Sequence, residues 1–165
     1  MELHVVRGDI TVMSVDAVIN AASPRMRGGG GVDGAIHRAG GPAILRDCIQ
    51  RFPDGLRAGE AGWTVAGALP ARWVIHVVGP NHRAGQTDPD LLAACYRGAL
   101  RVADELGART LASPLVSAGI YGWPIDDAAQ IAVRTLTATP SSLAAVTMVA
   151  FDPDAEVALR SAVAG

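Results

Sequence analysis

Residues 20–41, Asn-Ala-Ala-Ser-Pro-Arg-Met-Arg-Gly-Gly-Gly-Gly-Val-Asp-Gly-Ala-Ile-His-Arg-Ala-Gly-Gly, decide how the chain reads. The apolar run Ala17-Val18-Ile19 before them has the character of a buried strand, and it ends on the polar Asn20. A loop with Pro24 and four consecutive glycines, Gly28 to Gly31, follows, and then a short helix over 32–39 that stops at Gly40-Gly41-Pro42. Glycine loses more freedom on folding than any other residue, so four in a row persist where Cβ atoms are not tolerated, as where backbone approaches a ligand. A strand, a glycine loop and a helix start offer free N–H groups and a positive dipole end, which suit phosphate. The stretch reads as an anion cradle carrying a carboxylate, Asp33, and an imidazole, His37, one turn apart.

Two better-known phosphate loops are excluded. No Lys-Ser/Thr follows the glycines, and the GxGxxG spacing fails because Asp33 stands where the third glycine would fall. Spacing alone also fits Asp33 as a helix N-cap and His37 as a hydrogen-bonded structural histidine.

The rest of the chain supplies the frame. At 165 residues it has the length of one domain, 1–165, with a full hydrophobic core. All 14 basic residues are scattered arginines and the net charge is −2, so no broad nucleic-acid surface is expected. Cys48 and Cys95 lie too far apart for a metal motif and read as buried free thiols; no metal and no cofactor is expected. No signal peptide or membrane span is visible, and a cytoplasmic setting is expected.

Strands are expected at 3–7, 17–20, 63–65, 73–78, 110–115 and 145–151. Helices are expected at 43–52, from Pro89 to 106, after Pro124, and at 155–164. Asp88-Pro89-Asp90 and Asp152-Pro153-Asp154 both have the cap-proline-acid opening of a helix. The alternation means a three-layer α/β/α domain with a mixed, largely parallel central sheet. In such sheets ligands sit beyond the carboxyl ends of strands. The loops there are Gly8-Asp9, 20–32, Gly79-Pro80, Ser117 to Gly122 and Phe151-Asp152, all able to face one crevice. Two carry glycines and run into helices, and two facing cradles fit a diphosphate better than one phosphate.

These blocks resemble the macrodomain family over nearly the whole chain. The matching residues are Gly8-Asp9-Ile10-Thr11, Val15 to Ala22, Gly28 to His37, Leu69-Pro70-Ala71, Val74 to Pro80 and Ser117 to Gly122. The Gly-Gly-Gly-Gly-Val-Asp-Gly-Ala-Ile-His block is most similar to the MacroD-type ADP-ribosyl hydrolases. The resemblance implies that ADP-ribose and ADP-ribosylated substrates are the partners of a monomeric protein. It implies that Asp9 hydrogen-bonds the adenine amino group beside the Ile10 N–H, with Phe151 against the ring. It implies that Gly29, Gly30, Gly31 and Val32 wrap the diphosphate together with Ser117, Ala118, Gly119, Ile120 and Tyr121. Asn20 and Tyr121 would border the distal ribose, and Asp33 would position a water near its anomeric carbon, with His37 alongside. Phe151 also fits the end of a core strand, and Tyr121 fits simple loop packing. Ser23 departs from the family's Asn-Ala-Ala-Asn, replacing an amide that touches the distal ribose with a shorter hydroxyl. Leu56-Arg57-Ala58-Gly59 stands where relatives often have Cys-Pro-x-Gly. The function this implies is removal of mono-ADP-ribose from modified carboxylates, or of the acetyl group from O-acetyl-ADP-ribose. The alternative is a non-catalytic ADP-ribose reader.

Overall fold

The computed structural model describes residues 1–165. Six strands form one sheet in the order β1-β6-β5-β2-β4-β3: β1 (Glu2–Arg7), β2 (Ala17–Ala21), β3 (Ala61–Val65), β4 (Trp73–Val77), β5 (Thr110–Ser113) and β6 (Ala145–Ala150). All neighbours pair in parallel except β3, which runs antiparallel to β4 at one edge. The helices are α1 (Gly31–Gly40), α2 (Pro42–Arg51), α3 (Pro89–Leu106), α4 (Ile125–Ala138) and α5 (Pro153–Ala164), with short 3₁₀ turns at Ile10–Val12 and His82–Ala84.

Strand pleating sends alternate side chains to opposite faces, and each face has its own core. Val18, Val74, Ala112 and Val149 pack under α1 and α2 with Ile36, Ile44 and Cys48. Ile19, Ile75, Val77, Leu111, Val146 and Met148 pack under α3, α4 and α5 with Leu92, Tyr96, Leu136 and Leu159. The three-layer α/β/α expectation is met. The connection leaving β2 toward β4 therefore uses one face, while the helices after β4 and β5 use the other. The strand order reverses between β2 and β5, and their carboxyl ends open into a crevice where α/β folds bind ligands.

The helix-opening signals work as the sequence implies. Asp88 accepts a hydrogen bond from Asp90 N–H and Asp152 accepts one from Ala155 N–H, each ahead of a proline at the first helical position. Cys48 and Cys95 are buried free thiols. No helix is long and apolar enough to cross a membrane. Element boundaries shift by one or two residues at several ends, three of them at the crevice. Asn20 lies inside β2, α1 starts at Gly31, and β5 ends at Ser113, so Pro114 to Val116 belong to the following loop.

At the opposite, amino end of the strands, Asp16 acts as a staple that the composition did not mark. Its carboxylate accepts from the Arg109 and Thr110 N–H groups at 2.7 and 3.3 Å, and its carbonyl accepts from Arg72 and Trp73 N–H. One residue thereby sets the starts of β2, β4 and β5 level. Charged hydrogen bonds of this kind contribute about 1.5–3 kcal/mol each before coupling. Asp16→Ala is expected to destabilise the fold by about 2–3 kcal/mol, read as a lower urea midpoint at unchanged slope; an unchanged midpoint would remove Asp16 from the account.

Candidate functional site

The loop from Ala22 to Gly30 is held at both ends. Met26, at φ 58°, drops its side chain into the smaller core and is 2% exposed. Arg27 Nη1 donates to the Met26, Cys48 and Phe52 carbonyls at 3.0, 3.5 and 3.1 Å, tying the loop to the carboxyl end of α2. A guanidinium there also meets the negative end of the helix dipole. Ser23 Oγ donates to the Gly28 carbonyl at 3.0 Å. The hydroxyl that replaces the expected amide is thus engaged by the loop itself.

Beyond this anchor, the glycines pack directly on α1. A Cβ at Gly28 would touch the His37 ring at 3.8 Å, and one at Gly29 would stand 3.1 Å from Asp33 Oδ2. The reverse contact is tighter, since a Cβ at Gly34 would meet the Gly29 carbonyl at 2.5 Å. The glycine run exists because loop backbone lies on helix backbone and on Asp33. Gly31, at φ 58°, then turns the chain into α1. Asp33 is not the N-cap. Gly30 holds that position, and Asp33 is the third residue of the helix, 4% exposed, pointing inward beneath the loop.

The second loop, Pro114 to Pro124, faces the first across the crevice. Buried Tyr96 accepts from Val116 N–H through its hydroxyl at 3.1 Å. Ser117 takes φ 67°, a conformation costly for a non-glycine residue. Its hydroxyl turns inward and donates to the Pro80 carbonyl at 2.9 Å, so only the backbone of Ser117 is left for the crevice. Arg83 N–H donates to the Tyr121 carbonyl, and Gly122 N–H to that of Gly119, closing the loop tip. Ala118 packs against the larger core, while Gly119 and Ile120 are exposed. The Ile120 methyl lies 3.3 Å from where a Cβ at Gly30 would be, so the two lips nearly meet. Gly30 and Gly31 of the first lip therefore lie against Ile120 of the second.

Below the lips lies a buried polar chain. Asn20 Nδ2 donates to Asp33 Oδ1 at 2.8 Å and lies 3.1 Å from His76 Nδ1. His76 Nε2 lies 2.8 Å from Thr64 Oγ1, which donates to the Val65 carbonyl at 3.0 Å. Asn20, His76 and Thr64 are all 0% exposed. His37 Nε2 stands 3.4 Å from Asp33 Oδ1 on the same helix face. Burial, reinforced by His37 and opposed by Asp47, holds the His76 imidazole down at about 3. Burial, and then the Asp33 charge, raises the Tyr121 phenol, which places Tyr121 in the field of Asp33. Asn20 Oδ1 and Asp33 Oδ2 are buried with no hydrogen-bond partner. Two unpaired buried acceptors side by side cost free energy, and such groups concentrate where function requires them.

The far end of the crevice is more open. Arg7 pairs with Ala150 and Gly8 N–H donates to its carbonyl, so Asp9 and Phe151 leave adjacent strands side by side. Asp9 caps the turn at Ile10 by accepting from Thr11 N–H and Oγ1 at 2.9 and 2.7 Å, both on Oδ1. The Thr11 hydroxyl and then its N–H hold the Asp9 carboxyl below its usual range, so Oδ2 remains an ionised, free acceptor. Ile10 itself is buried. Phe151 does not end a core strand: β6 stops at Ala150, and the ring is 89% exposed.

Asn20, Asp33 and His37 meet at one end, where Tyr121 feels the Asp33 charge, and Asp9 and Phe151 leave adjacent strands at the other. Ser23 sits behind the glycine loop. No three His, Cys, Asp or Glu side chains gather as a metal site would need. Sequence reasoning missed His76, Thr64, Met26 and Arg27. His76 carried a signal, a histidine inside an otherwise apolar central strand; the other three carried none.

A family model, Macro domain, matches residues 19–132. The chain belongs to the macro domain family. A macro domain-containing protein of Streptomyces coelicolor is 54% identical over 154 residues, 91% of each chain. An O-acetyl-ADP-ribose deacetylase of Cronobacter sakazakii is 50% identical over 138 residues, 82% of this chain and 77% of that one. The macrodomain of Trypanosoma brucei in complex with ADP-ribose superposes with a TM-score of 0.89 at 37% identity, covering 98% of this chain and 69% of that one.

Two measurements test this macrodomain's geometry. Gly→Ala inside a helix ordinarily stabilises by about 0.5–1 kcal/mol. Gly34→Ala should instead destabilise, by about 1–3 kcal/mol, and shift the amide resonances of Gly28 to Gly31, because the new methyl meets the Gly29 backbone. A stabilised variant would show that the loop does not rest on α1. Separately, a His76 imidazole that is neutral when folded but titrates near 6.5 when unfolded makes the unfolded state bind more protons below that value. Stability should therefore fall as pH drops from about 6.5 toward about 3, and His76→Asn should flatten part of that slope in urea titrations.

Proposed function

We propose that this macrodomain binds ADP-ribose in the crevice between the two lips and hydrolyses esters at its distal ribose. O-acetyl-ADP-ribose and ADP-ribosylated carboxylates are the two substrate classes. The observation that carries the reading is the pair of unpartnered, buried acceptors, Asn20 Oδ1 and Asp33 Oδ2, at the end where Tyr121 and the lips converge. The relatives support it, one named as an O-acetyl-ADP-ribose deacetylase and one solved with ADP-ribose.

The residues divide the ligand as follows. The free Asp9 oxygen accepts from the adenine amino group, and the exposed Phe151 ring covers the base. Backbone N–H groups of Gly29 to Val32 and Ser117 to Tyr121, with the amino end of α1, hold the diphosphate. Asn20 and Tyr121 border the distal ribose. Asp33 takes a proton from a water as its oxygen attacks the acyl carbon or, for a protein ester, the anomeric carbon. In the acyl route the ester C–O bond breaks, the proton passes to the ribose oxygen, and free ADP-ribose and a carboxylate leave. His37, in line behind Asp33, orients it.

A non-catalytic reader is favoured by one observation. Asp33 Oδ2 is covered by Gly29, so the loop must shift before a water reaches it. The experiment is incubation with O-acetyl-ADP-ribose and with an ADP-ribosylated protein, following free ADP-ribose. Release from at least one is expected, and Asp33→Ala should slow it about a hundredfold, the usual loss on removing a general base. ADP-ribose affinity of that variant should hold or rise, since a negative charge near the diphosphate is gone. Tight binding with no release from either substrate would leave the reader. A second check addresses the adenine end. Asp9→Ala should weaken ADP-ribose far more than ribose 5-phosphate in calorimetry; equal losses would overturn the adenine assignment.

A further inference from the structure

We infer that His76 is a positioning residue: its neutral ring, protonated at Nε2, fixes the Asn20 amide so that the amide carbonyl and the free Asp33 oxygen face the ligand together as acceptors. The inference rests on the ADP-ribose reading of the crevice; His76 and Thr64 themselves are buried behind Asn20.

Hydrogen-bond polarity runs one way along this chain of side chains. An amide's oxygen and nitrogen are told apart by the network around them. The Asn20 atom facing Asp33 Oδ1 at 2.8 Å also faces His76 Nδ1 at 3.1 Å. A carboxylate only accepts, so that atom is the nitrogen, and its second hydrogen points at Nδ1. Nδ1 must then carry a lone pair, which puts the ring proton on Nε2. Nε2–H donates to Thr64 Oγ1 at 2.8 Å, and the Thr64 hydroxyl spends its own hydrogen on the Val65 carbonyl at 3.0 Å. Every member has one permitted orientation. The other tautomer would set Nδ1–H against an Asn20 N–H, and a flipped amide would set Oδ1 against a carboxylate oxygen. Each leaves a buried polar group unsatisfied, which costs about 1–3 kcal/mol.

The groups around the ring keep it neutral. His37 of α1 stands 6.4 Å away between ring centroids, and Asp33 is reached only through Asn20. Cys48 of α2 has its sulfur 3.9 Å from Nε2, and burial followed by Asp33 pushes that thiol up to about 11, so it brings no charge. Asp47 of α2 is the one opposing influence, and Arg51 pairs with it at 2.8 Å. The Val65 carbonyl, acting through Thr64 on the edge strand β3, and the Asp33 carboxylate at the other end therefore demand the same polarity of the amide between them.

The test reads the ring directly. In protein labelled with ¹⁵N at histidine, the His76 ring nitrogens should show the Nε2–H tautomer from about pH 5 to pH 8, with and without ADP-ribose. Thr64→Val keeps the shape and removes the acceptor for Nε2–H, whereas Thr64→Ser keeps the hydroxyl. The valine variant should lose about tenfold in ADP-ribose affinity by calorimetry and gain Nδ1–H character, and the serine variant should match wild type in both. An Nδ1–H or doubly protonated ring in the wild type overturns the inference. So does a folded Thr64→Val protein that binds like wild type, or equal losses in the two variants. If the valine variant does not fold, the wild-type ring spectrum decides. If the wild type binds no ADP-ribose, the proposed function fails, and the ring spectrum still judges the tautomer.

Discussion

The structure depends on one shared amide. Asn20 sits on a central strand, fully buried, and its side-chain nitrogen bonds the Asp33 carboxylate of α1 and the His76 ring of β4. A carboxylate withdrawn from water is expensive, and here it is held by a neutral amide, with His37 alongside. That arrangement leaves the carboxylate partly unsatisfied, which suits a ligand site better than it suits a core. The contact ties the start of α1 to β2 and lies against His76 of β4.

The loops around it are rigid for separable reasons. Met26 and Arg27 fix the first loop from behind, one by apolar burial and one by hydrogen bonds to carbonyls. Ser117 fixes the second by accepting a strained backbone in exchange for a hydrogen bond to Pro80. The tips, Gly29 to Gly31 and Gly119-Ile120, are exposed. Lips anchored in this way can open locally without disturbing the sheet, as a buried Asp33 beneath Gly29 requires.

The two ends of the crevice are built from different materials. The Asp33 end is enclosed, assembled from β2, β4 and α1. The Asp9 and Phe151 end is open, assembled from turns that follow two adjacent edge-side strands. An enclosed polar pocket at one end and an exposed aromatic ring at the other are the two settings that the proposed orientation of ADP-ribose uses.

Sequence by itself determined the α/β class, the cap-proline-acid helix starts and the two glycine loops, because these rest on local periodicity and backbone chemistry within a few residues. It also paired Asp33 with His37 one helical turn apart, while the place of Asn20 beside them was implied by the family resemblance. Four matters were decided by tertiary structure. Asp33 turned from a helix cap into a buried acceptor because Gly30 took the capping position and α1 docked on β2. Phe151 left the core because β6 ends one residue earlier. Ser23 turned to its own loop because Gly28 folds back over it. Thr64 and His76 entered the site from strands 44 and 56 residues along the chain from Asn20, and such pairing is set by sheet order, which no local pattern encodes.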